Sequence, residues 1–232
     1  MQRYTGDAIG RYARLGLWAV PIYALLLGAG TITHQPAPQT QLGDWSRYVT
    51  TDEFLVSHLV ASIGGAVFGT LGAVALGVVF MRRGSVRLGL AGLLTGVAGN
   101  VLLTSVFGVA AYTQPAIGRF YLAGHQDLAQ GLYYDAAQPV ALVVVALLSI
   151  VLLSASFIVF GVLVARASEL PRLAGIGLAV SIVLFAVVGF VLDNWVQSVG
   201  AALMTVSAAW IAIAAGRRAQ PMGQNDLAPA AV

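Results

Sequence analysis

The stretch TDEFLVSHLVASIGGAVFGTLGAVALG, Thr51–Gly77, enters on two acids and then runs without a charge apart from the one histidine, His58. A helix needs about 20 mostly apolar residues to cross a bilayer, and this one has them. Ala61, Gly65, Gly69, Ala73 and Gly77 recur in steps of four. Small residues at that spacing let a second helix backbone approach closely, because lipid supplies no hydrophobic drive and packing must hold the pair. Each step overshoots a full turn by about 40°, so the strip drifts around the helix and suits a right-handed crossing.

Working outward, the same apolar character returns five times. The runs are Leu15–Ile32, Phe54–Met81, Leu88–Tyr112, Val140–Ala165, Leu173–Leu192 and Val196–Ala215. The chain has 232 residues, 59% hydrophobic and 9% charged, with mean hydropathy +0.86. Soluble domains carry about 25% charged residues. The expected fold is therefore an all-α membrane protein, a six-transmembrane-helix bundle over residues 1–216. The polar, Pro- and Ala-rich segment 217–232 reads as a disordered cytoplasmic tail. The first run follows arginines as a signal peptide would, but it lacks a small-x-small cleavage site and contains Trp18 and Pro21. It reads as a retained helix kinked at Pro21.

Charge orients the bundle. All twelve basic residues are arginines. Arg3, Arg11, Arg14, Arg82, Arg83, Arg87, Arg166, Arg172, Arg217 and Arg218 lie at the termini or in two short turns, and only Arg47 and Arg119 lie opposite. Positive charge marks the cytoplasmic side, so both termini are placed in the cytoplasm of a bacterial plasma membrane. The short turns side carries ten arginines and three acids, the long-loop side two arginines and six acids. This distribution accounts for the pI near 9.5 without any nucleic-acid partner. With no cysteine and no lysine, disulfides, thiolate metal sites, iron–sulfur clusters and Schiff-base chemistry are excluded.

The third run carries its own small strip, Gly92, Gly96, Asn100, Thr104 and Gly108. The turn before it is short, so the two strips are expected to face each other, with Asn100 hydrogen-bonding across the contact near mid-membrane. His58 lies three residues before Ala61 and four before Ser62, beside the packed face. An unpaired imidazole is costly in lipid, so it points into protein. Two readings stand side by side: a neutral histidine bonded to a carbonyl or loop carboxylate, and a site residue.

Few groups could complete such a site. Asp193 and Asn194 sit at the outer rim in FVLDNWVQ. Asp135 and Gln138 lie at the mouth of the fourth helix. His125 and Asp127 form HQD in the second loop, and His34 follows the first helix. General acid–base work needs two convergent groups, and His58 with Asp193 or Asp135 are the catalytic candidates. Ligand-binding candidates are His58, Asn100, Gln138, Asp193 and Asn194. His34, His58 and His125 are the only imidazoles for a metal or haem, but no HxxxH or HExxH spacing occurs and no cofactor is expected. Ser149, Ser154 and Ser156 have no histidine at their depth, against an intramembrane serine hydrolase.

Both long loops are external. Residues 33–53, with HQPAPQTQLGDW, read as an irregular cap. Residues 113–139 read as carrying a short interfacial helix, although an aromatic belt would equally explain Tyr112, Phe120, Tyr121, Tyr133, Tyr134 and Trp195. Val78–Gly92 and Val162–Gly177 resemble each other as arginine-bearing hairpins, Arg82 aligning with Arg166 and Arg87 with Arg172, the pattern a parallel duplication leaves.

The segment Phe157–Trp195, with Arg166, Leu170, Pro171, Arg172, Gly175 and Asp193, resembles the last helical pair of small bacterial six-helix membrane proteins grouped as a domain of unknown function. It covers about a sixth of the chain. The resemblance implies a similar bundle and no activity.

Three functions follow. The first is handling of a lipid or small apolar molecule, by binding, transport or modification, in a pocket open to the outer face near His58. The second is a non-catalytic scaffold or accessory subunit for another membrane protein, with every polar group satisfied and no sizeable cavity. The third is a metal- or haem-binding membrane enzyme. Membrane lipids are partners in all three.

Overall fold

The computed structural model describes residues 2–32, 35–192 and 194–217, with side chains from Ala8 onward except Phe190 and Asn194. The tail after Arg217 lies outside the described residues. Those described form helices and no strand.

α1 (Gln2–Gly16) and α2 (Ala19–Gly30) make the first rod. Pro21 has no N–H for the Leu17 carbonyl four residues back, and that carbonyl instead accepts from Val20 N at 3.2 Å. The break expected at Pro21 thus falls a turn earlier, at Leu17–Trp18. The second rod joins α4 (Asp52–Val56), a π-helical stretch Ser57–Gly64 and α5 (Gly65–Arg82), after α3 (Leu42–Val49) in the preceding loop. Thr51 caps it by accepting from Phe54 N at 3.2 Å, and Asp52 and Glu53 complement the positive end of the helix dipole. Gly84, with φ +88°, closes the tight turn to α6.

α6 (Val86–Gly108) continues through a π stretch, Val109–Thr113, into α7 (Gln114–Leu122). The rod does not stop at Tyr112 as expected. Its π stretch directly precedes Pro115, whose missing N–H would have served the Ala111 carbonyl. α8 (Gln126–Leu132) and the π stretch Tyr133–Ala137 complete the second loop. α9 (Val140–Arg166) is an uninterrupted α-helix. The fifth rod is broken into α10 (Arg172–Ile182), a π stretch Val183–Val188 and α11 (Gly189–Val191); α12 (Asn194–Arg217) follows.

Five helices, Ala8–Gly30, Asp52–Arg82, Val86–Leu122, Val140–Arg166 and Trp195–Arg217, are long and apolar enough to cross a membrane. The sixth apolar helix, Arg172–Val188, is shorter. Their outward faces are apolar as well: Val144, Leu147, Leu148 and Val151 of α9 are all exposed. Water would penalise such a surface, and lipid does not.

The rods form a closed ring in chain order, each packed on the next, with α12 returning to α2. One end of the ring carries the two long loops, the other the arginine-bearing turns; these are called the loop end and the arginine end. Small residues hold the ring together. A Cβ on Gly96 would lie 2.7 Å from Ala73 Cβ and 2.6 Å from Ser156 Oγ, and one on Gly92 would lie 2.8 Å from the Phe160 ring. The strips of the second and third rods do meet, at Gly69 with Asn100 and at Ala73 with Gly96. Their drift then carries Gly65 toward Tyr23 and Leu26, and Gly92 toward Phe160, so each strip serves two neighbours. At the arginine end Arg83 pairs with Glu169 at 3.4 Å, joining the two turns.

The loops are more ordered than an irregular cap. Trp45, Val49, Phe54, Ile117, Ala129 and Tyr133 form a second buried cluster, separate from the core of the ring. Burial of Tyr133 in this cluster removes it from any belt, whereas Tyr112, Phe120, Tyr134 and Trp195 are exposed. Gly124, with φ +94°, makes the turn that folds α8 back on α7.

Candidate functional site

A cavity of about 270 Å³ lies inside the ring in its loop-end half, and all six rods contribute to its wall. Leu26, Leu27, Leu103, Val106, Phe107, Ile150, Leu153, Ile182 and Phe185 make it mainly apolar. Tyr23, Thr31, His58, Ser62 and Gln197 supply the polar groups. Two π stretches form part of the wall: Ser57–Gly64 brings His58 and Ser62, and Val183–Val188 brings Phe185 and Ala186. A third, Val109–Thr113, starts two residues past Phe107. A π turn shifts side chains out of α-helical register, and such turns recur at functional sites.

His58 donates from Nδ1 to the Phe54 carbonyl at 2.9 Å, four residues back, and its ring lies 4.1 Å from the Phe54 ring. A carbonyl only accepts, so Nδ1 carries the proton of the neutral imidazole and Nε2 keeps a free lone pair. Among the described residues Nε2 has no hydrogen-bond partner, nor do the Tyr23 hydroxyl, Ser62 or the Gln197 carboxamide. Thr31 is satisfied: its hydroxyl donates to Gly28 O at 2.8 Å and lies 2.7 Å from Ser198 Oγ. The chamber is thus an apolar volume with one acceptor nitrogen, two hydroxyls and an amide available to a guest. His58 and Ser62 share a helix face but are not hydrogen-bonded, so no nucleophile–base pair is formed.

The remaining candidates are dispersed. Asn100 is fully buried but outside the cavity. Its amide donates to Gly96 O of its own helix at 2.8 Å and not across the contact as expected, while Oδ1 rests where a Gly69 side chain would be. Only a Cα–H faces that oxygen there. Gln138 is tied into the cap, accepting from the Tyr133 hydroxyl and from Gln39 Nε2 at 3.4 Å. Burial, with Tyr134 adding to it, raises the Tyr133 pKa above its ordinary value against the opposing hydrogen bond from Gln39. Asp135 and His125 are exposed, the latter edge-on to Phe120. None of these four lines the cavity. His34 and Asp193 lie outside the described residues, as does the side chain of Asn194. Among the described residues no three His, Asp or Glu side chains gather as a metal site would require. Ser156 donates to Gly92 O at 2.7 Å, a helix-to-helix bond, and Ser149 to Ala146 O.

Tyr23 and Gln197 are wall residues that the sequence did not single out. Gln197 did carry a signal, a carboxamide one turn inside an apolar helix. Tyr23, in YALLLG, looked like any interfacial aromatic.

Fold and chamber together define a helical membrane protein with an internal, mostly apolar cavity. No family profile matches the chain, and neither a curated protein nor a solved structure does.

Proposed function

We propose that the protein handles a lipid chain or small apolar molecule bearing a hydrogen-bonding head, held in the cavity beside His58. The observation that carries this is an apolar chamber in which, among the described residues, His58 Nε2, the Tyr23 and Ser62 hydroxyls and the Gln197 carboxamide lack protein partners. Its volume is near the low end of the 300–1,000 Å³ usual for ligand pockets, which fits a small molecule or one acyl or isoprenoid chain better than a whole phospholipid. A scaffold would need no such chamber and would satisfy its polar groups internally.

The chain crosses a bacterial plasma membrane six times, with both termini in the cytoplasm. The arginine asymmetry supports this orientation, and the short fifth rod reaches the far side through its π stretch and α11. The cavity then lies in the outer leaflet.

The test is purification in mild detergent followed by extraction and mass spectrometry of bound small molecules, comparing wild type with Ala146→Leu and His58→Phe. The expected result is a stoichiometric apolar compound in wild type, reduced at least tenfold in both variants. An empty wild-type protein, or equal retention in all three, would overturn it. Elemental analysis and a visible spectrum of the same sample test the metal or haem alternative.

A further inference from the structure

A second concavity, of about 710 Å³, lies in the cap between the two long loops and shares no residue with the cavity in the ring. Its character is opposite. Four carboxamides line it, Gln39 and Gln41 from the first loop and Gln126 and Gln130 from α8. Three phenol rings, Tyr121, Tyr133 and Tyr134, stand among them. From this composition we infer that the cleft is a binding site for a neutral polyhydroxylated ligand, a sugar ring or the sugar head of a larger molecule.

The chemistry runs as follows. Each carboxamide offers a donor and an acceptor side by side, which is what a pair of neighbouring hydroxyls requires. Among the described residues the side chains of Gln41, Gln126, Gln130 and Asp127 make no hydrogen bond, so their capacity is unspent. A pyranose also presents an apolar C–H face, and the half-exposed Tyr134 ring supplies a flat partner for one. Tyr134 is held edge-on against Tyr133, 5.2 Å between centroids, and Tyr133 is itself fixed by Trp45 and by its hydrogen bonds to Gln39 and Gln138. The stacking surface is therefore preorganised, which limits the entropy lost on binding.

Charge argues against the competing classes. Arg47 is paired with Asp44, leaving Asp127 as the unpaired charge of the wall, so a phosphate or carboxylate would meet net negative potential. The few aliphatic groups, among them Leu42 and Pro38, are too sparse to hold an acyl chain. A quaternary ammonium would suit the rings and Asp127 but would leave the carboxamides of Gln41, Gln126 and Gln130 unused.

The test uses the full chain in nanodiscs of phosphatidylethanolamine and phosphatidylglycerol, because maltoside and glucoside detergents would themselves compete. Saturation-transfer difference NMR is recorded with methyl glycosides of glucose, galactose and N-acetylglucosamine, with maltose and lactose, and with choline and inorganic phosphate as contrasts. The expected result is saturable transfer to at least one saccharide, weakened at least tenfold by Tyr134→Ala and by Gln130→Ala, and unchanged in Leu128→Ala, an exposed change on the same helix outside the cleft. n-Octyl glucoside added to the discs distinguishes the source: tighter binding than the methyl glycoside means a membrane-borne sugar, equal binding a free one. No saturable saccharide, binding indifferent to both cleft variants, or preference for choline or phosphate would overturn the assignment.

Discussion

The two ends of the ring are built from the same few residue types and behave differently. At the arginine end the backbones nearly touch. A Cβ on Gly175 would sit 2.5 Å from Gly161 O and from Ala165 N, and one on Gly77 would sit 2.7 Å from Leu93 Cβ. Toward the loop end the spacing is mixed: a Cβ on Gly30 would reach only Ala61 at 3.8 Å and Ser62 at 3.9 Å and one on Gly108 would meet nothing, while one on Gly200 would sit 2.7 Å from Phe185 N and one on Gly189 2.8 Å from Gln197 N. The π stretches of the rods all fall in this half. Glycine does not by itself bring helices together. It permits contact where a neighbouring helix fills the vacated volume, as Leu93 does at Gly77, and leaves space where none does, as at Gly30 and Gly108.

The strongest way to break this contrast is to add volume at each end. Gly175→Val drives two methyl groups into neighbouring backbone and should destabilise the fold by about 3 kcal/mol, or abolish folded yield. Gly108→Ala, with nothing nearby, should stabilise slightly, by about 0.5 kcal/mol, through helix propensity. Thermal unfolding in detergent, followed by circular dichroism, reads both, and equal losses would erase the distinction. Ala146→Leu sharpens it: in delipidated protein a side chain grown into the cavity should raise stability by about 1 kcal/mol, as cavity-filling changes do, whereas a loss would mean the chamber is not free volume. Smallest of all is Arg83→Ala. Its pairing with Glu169 is about one-third exposed, so the loss should be about 0.5 kcal/mol or less. A larger effect would show the arginine end to be held by charge as well as by packing.

Much of the ring was legible because its signals are local. Uninterrupted apolar runs, the drift of a four-residue strip and the carbonyl orphaned by Pro21 each act within a turn or two of their own helix. The fifth rod reads as one run, and yet the register slip at Val183–Val188 leaves no mark in a segment where every residue is apolar. The slip at Val109–Thr113 is different, since Pro115 stands beside it. The cap shows the intermediate case: Trp45 and Val49, spaced four apart, are a helical signal that the surrounding prolines and glutamines obscured. His58 could be picked out as the lone ionisable group of its run. Its partners in the wall could not, because Tyr23, Phe107, Ile150, Phe185 and Gln197 come from five other rods and meet only through ring closure.

Closure in chain order also has a kinetic side. Around the ring every main rod-to-rod interface but one joins rods that emerge consecutively during synthesis, so assembly can proceed by adding each rod to its predecessor, with little search among distant pairs. The exception is the return of α12 to α2, which must wait for the last rod. Until then the nascent protein is an open crescent, and its loop-end chamber lacks the Gln197 wall and lies open on the side where α12 will dock. The final helix to arrive is thus the one that turns a groove into an enclosure.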